Sequence, residues 1–210
     1  MRRFYIQNMV DDIDRVFPLE DYIKRAFLKV DREIFVQNGF KHLAYKLDAL
    51  PMQQEQWISS PLTVAKMTYY LDLKGADSVL EIGCGSGYQA AILAQIVRRV
   101  FTIERIESLL FEAKARFRML GFSNIFTRHD DGQRGWREFA PFDRILFSAT
   151  LQKEPPKVLF EQLSDGGVMV APILSNGKEV VVRYRKNNGV VTSEMLEECR
   201  FVPVLSGVQK

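Results

Sequence analysis

Strand-like and helix-like segments alternate between residues 77 and 173, and this alternation constrains the fold more than any other feature. DSVLEIG (77–83) has the composition of a buried strand and precedes the helical pattern YQAAILAQIV (88–97). Three further strands and two further helices follow: RVFTIE, IESLLFEAKARFRML, NIFTRHDD, FDRILFSA and a helix from Pro155-Pro156 through KVLFEQL. Gly166-Gly167 then predicts a turn into a fifth strand, VMVAPIL. Strands and helices that alternate in this way form a doubly wound, parallel sheet.

The C-terminal part of the chain, from about residue 176, has a different pattern. KEVVVRYRK and VVTSEML are strand-like and flank Asn187-Asn188-Gly189, a combination that predicts a β-hairpin. The predicted fold class is therefore α/β, with a mostly parallel Rossmann-like sheet that carries antiparallel C-terminal strands at one edge.

The first 57 residues predict a helical segment ahead of the sheet. Apolar residues recur at helical spacing over residues 10–35, and Pro18 divides them into two helices, the second beginning near Leu19. Asn38-Gly39 predicts a turn, and residues 40–55 are expected to be extended. A chain of 210 residues fits one domain, with a helical approach segment (1–57), a ligand-binding core (58–175) and a C-terminal hairpin with an edge strand (176–210).

Composition excludes several classes of protein. No apolar run approaches the roughly 18–20 residues of a membrane helix, and acidic residues follow the basic start where a signal peptide would be apolar. Two cysteines, Cys84 and Cys199, provide neither a disulfide framework nor metal-ligand spacing, so we expect a cytoplasmic protein without metal. A net charge of +3 is too small to indicate nucleic-acid binding. We expect a monomer that binds neither membranes nor nucleic acid.

The loop GCGSG joins the first strand of the alternating region to its helix. Gly83, Gly85 and Gly87 give the spacing G-x-G-x-G, which permits a tight turn and close approach of backbone amides to a ligand. A dinucleotide-binding loop would have G-x-G-x-x-G and would hold a pyrophosphate. Glu81 lies just before the first glycine, where a carboxylate would repel phosphate and attract an ammonium group.

Two more acids end the next two strands. Glu104 follows Gly83 by 21 residues, the place of an acid that accepts both hydroxyls of a ribose, and Asp131 precedes Gly132 at the end of the third strand. In open α/β sheets ligands bind at this carboxyl edge. A ribose-holding acid and an ammonium-holding acid without a phosphate cradle favour S-adenosylmethionine over NAD as the cofactor.

The stretch QWISSPLTV places two serines in front of a proline. Ser60 followed by Pro61 predicts the N-cap and first position of a helix. Ser59 is left either as an alternative cap or as a residue with a separate function.

With these features together, the chain resembles the protein-L-isoaspartate O-methyltransferases. Matching blocks occur in the family's order from about Asp31 to Val204: DREIFV, ISSP, VLEIGCGSGYQAAILA, IERI, APFDRIL, LSDGGVMVAP and RFVPV. The glycine loop alone identifies only the broader class of S-adenosylmethionine-dependent methyltransferases. ISSP and RFVPV are more particular to this family.

The resemblance implies roles for individual residues. It implies Ser59 as the active-site serine, Glu81 for the methionine end of the cofactor, Glu104 for the ribose and Asp131-Gly132 for the adenine edge. The remaining implied cofactor-binding residues are Gly83, Cys84, Gly85, Ser86, Gly87 and Arg105, and the implied substrate-binding residues are Ile58, Ser60, Ala149 and Val204.

The implied activity is transfer of a methyl group to the free α-carboxylate of L-isoaspartyl residues in damaged proteins. The ester then cyclises to a succinimide that reopens partly to normal aspartate. Such a carboxylate, with a reference pKa near 4, needs no general base. The sequence agrees, because its only histidines, His42 and His129, are not part of an obvious catalytic pair.

The sequence departs from the family pattern on the substrate side. The family usually has threonine at Trp57, glutamine or alanine at Ser60, and glycines in the loop written here as PMQQEQ (51–56). Its Val-Thr-Ala-Ala motif is replaced by FSAT (147–150). Two alternatives therefore stay open: a methyltransferase of this fold with a small-molecule or RNA acceptor, and a non-catalytic cofactor-binding protein. The Asn/Asp-Pro-Pro-aromatic motif of base-nitrogen methylation is missing from SATLQKEPP.

Overall fold

The computed structural model describes residues 2–210, which contain six α-helices and nine β-strands. The helices are α1 (Arg2–Val16), α2 (Asp21–Lys29), α3 (Pro61–Tyr70), α4 (Tyr88–Leu93), α5 (Glu107–Met119) and α6 (Lys157–Glu161). The strands are β1 (Leu50–Pro51), β2 (Trp57–Ile58), β3 (Ser78–Ile82), β4 (Arg99–Glu104), β5 (Ile125–His129), β6 (Phe142–Phe147), β7 (Leu163–Ser175), β8 (Lys178–Asn187) and β9 (Val190–Glu198).

Seven of the strands form one sheet in the order β5-β4-β3-β6-β7-β8-β9. The first five are parallel, and β8 and β9 join β7 in antiparallel pairing. This confirms the predicted α/β class with antiparallel C-terminal strands. The order reverses at β3, where the chain returns from β5 to β6, so the crevice between β3 and its neighbours is the expected ligand site.

The central strands β3, β4, β6 and most of β7 are buried on both faces, and their side chains alternate between two apolar clusters. One face is covered by α1 to α5 and receives Val79, Val100, Leu146, Val168 and Val170. The other face is covered by α6 and receives Leu80, Phe101, Ile145, Phe147 and Met169. Because successive side chains point to opposite faces and both faces are covered, these central strands are rich in apolar residues at successive positions.

The N-terminal region differs from the prediction. The first helix begins at Arg2 rather than near residue 10, and the second ends at Lys29 because Val30 is extended. A 3₁₀ helix, Arg32–Phe35, follows with Asp31 as its N-cap. Asn38–Leu43 is a second 3₁₀ helix rather than a turn and extended chain, and only Leu50–Pro51 of the expected extended region pairs as a strand.

Two glycine predictions also change. Gly166-Gly167 lies inside β7 rather than before it: Phe142 pairs with Leu163 and Arg144 with Val168, so the glycines form a bulge within the strand. The sequence also places Gly75 where the helix after Ser60-Pro61 should end, but this helix, α3, ends earlier, at Tyr70. None of the helices in residues 2–210 is both long enough and apolar enough to span a membrane.

Candidate active site

A cavity opens at the carboxyl edge of β3, β4 and β6, where the sheet order predicts a ligand. The glycine loop forms its floor, and the chain ahead of α3 forms one wall. The opposite wall is residues 201–205, which follow β9 and bridge to Thr150 through Pro203. Ten of the predicted site residues line the cavity: Ile58, Ser59, Gly83, Cys84, Gly85, Ser86, Glu104, Arg105, Ala149 and Val204.

Glu104 fixes the glycine loop against the end of β4. One carboxylate oxygen accepts a hydrogen bond from the Gly85 amide at 2.8 Å, and the other accepts from the Ile106 amide at 2.9 Å. The residue is 5% exposed and lines the cavity. Each carboxylate oxygen can accept a second hydrogen bond, so Glu104 retains capacity for two ligand hydroxyls.

Glu81 lies in β3 beneath the loop and does not line the cavity. It is fully buried, accepts a hydrogen bond from the Thr102 hydroxyl at 2.5 Å, and lies 3.4 Å from the Ser148 hydroxyl. Burial, reinforced by the nearby Glu104 charge, raises the pKa of Glu81 to about 8. Ser148 reaches the cavity and connects it with this carboxyl group.

Cys84 is buried in the same loop between these acids. Burial raises the pKa of its thiol well above the usual value, and the charges of Glu81 and Glu104 raise it further. The thiol is therefore neutral at physiological pH and lines the cavity as an apolar group.

The C-terminal segment, residues 205–209, covers Asp131, the acid predicted at the end of the third strand of the alternating region. The Gly207 amide donates to a carboxylate oxygen of Asp131 at 2.8 Å, and the other oxygen of Asp131 accepts from the Gln133 amide. Gln209 pairs with the backbone of Arg105 and Glu107. Asp131 and Gly132 thus lie outside the cavity lining, beneath this segment.

Gly87 and Gly132 are explained by local geometry. Gly87 has a φ of +88° at the start of α4, and an added Cβ would lie 2.7 Å from the Phe117 ring. At Gly132 an added Cβ would lie 2.4 Å from the side chain of Ile82. Both glycines allow close packing around the loop, and neither lines the cavity.

The two adjacent serines have different environments. The Ser60 hydroxyl accepts from the Thr63 amide at 3.0 Å, which confirms it as the N-cap of α3 with Pro61 at the first helical position. Ser59 lines the cavity, and its hydroxyl makes no hydrogen bond within the described residues 2–210. Ser59 is thus free to contact a ligand.

Several cavity residues were missed by the sequence analysis. Thr63 and Tyr88 line the cavity because each lies in the first turn of a helix that begins there. Gln56 and Trp57, which the sequence placed on the substrate side, lie in the β1–β2 hairpin at its rim. The ISSP and GCGSG motifs each precede a predicted helix, and the first turns of those helices could have indicated Thr63 and Tyr88. Phe201 lies in the RFVPV block that indicated Val204, whereas nothing local indicates Leu205; both residues reach the cavity from the C-terminal end of the chain.

The acidic side chains at the cavity suit a ligand that carries hydroxyl and ammonium groups, and an ammonium group would favour ionisation of the Glu81 carboxyl, which burial otherwise keeps protonated near pH 7. Glu104 faces it and Glu81 lies beneath it, whereas Arg105 is the one basic side chain among the described lining residues. The Arg105 Nε donates to the Gly207 carbonyl at 3.1 Å, so this donor holds the C-terminal segment rather than a phosphate group. No cluster of three or more potential metal-ligating side chains occurs anywhere in residues 2–210.

Comparisons with known proteins agree with this geometry. A family model described as protein-L-isoaspartate(D-aspartate) O-methyltransferase matches residues 7–209. A protein-L-isoaspartate O-methyltransferase of Helicobacter pylori (strain G27) is 52% identical over 202 residues, which cover 96% of each chain. A protein of the same name from Dictyoglomus turgidum is 50% identical over 179 residues, covering 85% of this chain and 81% of that one.

Solved structures show the same fold. A structure named protein-L-isoaspartate O-methyltransferase superposes with a TM-score of 0.85 at 26% identity, covering 97% of this chain and 65% of the other. A Plasmodium falciparum protein described as a protein-L-isoaspartate O-methyltransferase, crystallised with S-adenosyl-L-homocysteine, superposes with a TM-score of 0.84 at 20% identity. The latter match covers 94% of this chain and 97% of that one.

Proposed function

The chain belongs to the protein-L-isoaspartate O-methyltransferase family, and on that premise we propose that it methylates the free α-carboxylate of L-isoaspartyl residues, using S-adenosylmethionine. The methyl ester formed in this way cyclises to a succinimide, which initiates repair of the damaged peptide. One observation carries the proposal: Glu104, which can still accept hydrogen bonds from a ligand, and Ser59, whose hydroxyl has no partner in residues 2–210, line the same cavity.

The residues present fit the cofactor. When bound, S-adenosylmethionine supplies an electrophilic methyl group on a positively charged sulfur. We assign the ribose hydroxyls to Glu104, the ammonium end to the field of Glu81, and close backbone approach to Gly83 through Ser86. We retain Asp131-Gly132 as the border of the adenine end, where the C-terminal segment would form the cover.

Ser59 is the proposed catalytic residue. Its hydroxyl can donate a hydrogen bond to the attacking carboxylate and hold it in line with the methyl group, which is the main requirement of a displacement reaction. Ile58, Ala149 and Val204 line the acceptor side with apolar surface and limit water. A neutral donor leaves the carboxylate more reactive than a direct ion pair would, because tight ground-state binding does not lower the barrier.

We also propose that the chain acts as a single domain, as a monomer in the cytoplasm. One apolar cluster contains residues of α1, α2, β3 and β4, which supports a common core for the described residues 2–57 and residues 58–175. Both cysteines are unpaired, which fits a reducing compartment.

One assay tests the proposed function. The protein is incubated with radiolabelled methyl donor and either an isoaspartyl peptide or its normal aspartyl twin. We expect base-labile label in the isoaspartyl peptide alone. Label in a metabolite or in RNA, with the isoaspartyl peptide unmodified, would contradict the assigned acceptor. Cofactor binding without transfer to any of these would contradict catalysis.

A further inference from the structure

Arg32 is buried completely behind the wall of the cavity and connects three parts of the N-terminal region. Its guanidinium donates to the carbonyl of Ala44 at 2.6 Å, to that of Asp48 at 3.1 Å and to that of Ser59 at 3.0 Å. The last contact is to the backbone of the proposed catalytic serine. No other side chain within residues 2–210 donates a hydrogen bond to that carbonyl.

The charge of Arg32 has no acidic partner. No carboxylate oxygen in residues 2–210 lies within 4.0 Å of its nitrogens, and its Nε has no hydrogen-bond partner among those residues. Burial lowers the pKa of Arg32 to about 10, so the side chain remains cationic at neutral pH. Asp48 opposes the effect of burial on this pKa without a direct ion pair, and burying a charge that has no direct counter-ion costs folding free energy.

Two contacts connect this charge with the cavity. The guanidinium carbon lies 5.8 Å from the centre of the Tyr88 ring, and both Tyr88 and Ser59 line the cavity. Arg32 therefore lies one side chain behind the wall that would face an anionic acceptor. It is close enough to act through its electric field, because low-dielectric surroundings weaken charges less than water does, but it is shielded from forming a direct ion pair.

We propose that Arg32 is a positioning residue of the acceptor site, which fixes the Ser59 backbone and supplies the positive charge that draws a substrate carboxylate into the cavity. This inference rests on the proposed function. It explains how the site can attract a carboxylate without pairing it to a cation.

The test compares Arg32→Lys and Arg32→Met with the wild type and with Arg144→Lys. Arg144 is a matched control, since it is 8% exposed and also donates to backbone carbonyls, those of Asp72 and Asp143, but does not line the cavity. Binding of S-adenosyl-L-homocysteine by calorimetry gives the folded fraction of each protein. The kinetic constants are then expressed per folded molecule, with the isoaspartyl peptide as the varied substrate.

Lysine keeps the charge but cannot reach all three carbonyls, so Arg32→Lys loses one or two charged hydrogen bonds that fix the Ser59 backbone. This loss should lower kcat about 10-fold. Its KM for peptide should stay within about threefold. Arg32→Met also removes the charge and should raise the peptide KM by about 10-fold more. The KM for methyl donor should not change, and Arg144→Lys should lower stability alone.

Wild-type constants per folded molecule in both Arg32 variants would overturn the inference. So would an Arg32→Lys chain that never folds, because the arginine would then be required for folding itself. A peptide KM that is the same in Arg32→Lys and Arg32→Met would overturn the role of its charge. If the wild-type protein transfers no methyl group to isoaspartyl peptide, the proposed function fails first, and that result is distinct from these.

Discussion

The buried acid Glu81 gives the sharpest prediction about the pH dependence of stability. Its carboxyl group is inaccessible to solvent, and burial raises its pKa from 4.5 to about 8. The folded protein therefore keeps a proton on Glu81 at pH values where the unfolded chain has lost it. Since the folded state binds more protons in this window, its stability falls as pH rises from about 4.5 to 8.

The size of this effect follows from the two pKa values. Each pH unit in the window costs about 1.4 kcal/mol of unfolding free energy, so the full change is on the order of 5 kcal/mol. Glutamine at this position stays neutral, and its amide oxygen can still accept from the Thr102 hydroxyl. Glu81→Gln should therefore match the wild type near pH 5 and exceed it by about 3–5 kcal/mol at pH 9.

Urea unfolding at pH 5, 7 and 9, followed by circular dichroism, measures this difference. Titrating groups that are not coupled to Glu81 contribute equally to both proteins, so the gap between the two curves reports Glu81 together with its interaction with Glu104. A gap that does not change with pH would refute the reasoning.

The same proton should be released when the cofactor binds. An ammonium group near Glu81 would favour its ionised form, so binding of S-adenosyl-L-homocysteine at pH 7 should release close to one proton. Calorimetry in phosphate and in Tris, which differ in ionisation enthalpy, counts that proton. Equal proton release by the wild type and Glu81→Gln would contradict the assignment of the ammonium end to Glu81.

Four other variants test separate parts of the site. Ser59→Ala should lower kcat about 10-fold, whereas the Kd for S-adenosyl-L-homocysteine, measured by calorimetry, stays the same; Ser60→Ala should instead remove about 1 kcal/mol of stability in urea unfolding. Gly87→Ala should cost about 2–4 kcal/mol in the same assay, because its φ is positive and Phe117 lies 2.7 Å from the added carbon. Deletion of residues 205–210 should weaken S-adenosyl-L-homocysteine binding about 10-fold, since it removes Leu205 from the cavity and the Gly207 contact from Asp131. Wild-type values in any of these assays would contradict the corresponding contact.

The parts of the fold that were predicted from sequence depend on local or periodic signals. Ser60 and Pro61 define the start of α3 through interactions within one helical turn. The buried strands were identified because both faces of a parallel sheet are covered, which makes their sequences continuously apolar. Asn188-Gly189 marks the hairpin between β8 and β9 because both residues adopt positive φ there.

The features that were not predicted depend on contacts distant in sequence. Arg32 reaches the Ser59 carbonyl across 27 residues, and Gly207 reaches Asp131 across 76. No pattern around Arg32 distinguishes a buried guanidinium from an exposed one. The 3₁₀ helices between Arg32 and Leu43 were missed because their short turns lack the repeated apolar spacing that indicates an α-helix.

The environment of Cys84 has a consequence for side reactions with the proposed methyl donor. A thiolate is a stronger nucleophile toward a methyl group than a carboxylate is. Cys84 lines the cavity proposed to hold an activated methyl group, so its ionised form would compete with the substrate. Burial and two neighbouring acids keep the sulfur protonated. We expect this protonation to suppress alkylation of the enzyme by its own cofactor, so that the methyl group is kept for the peptide.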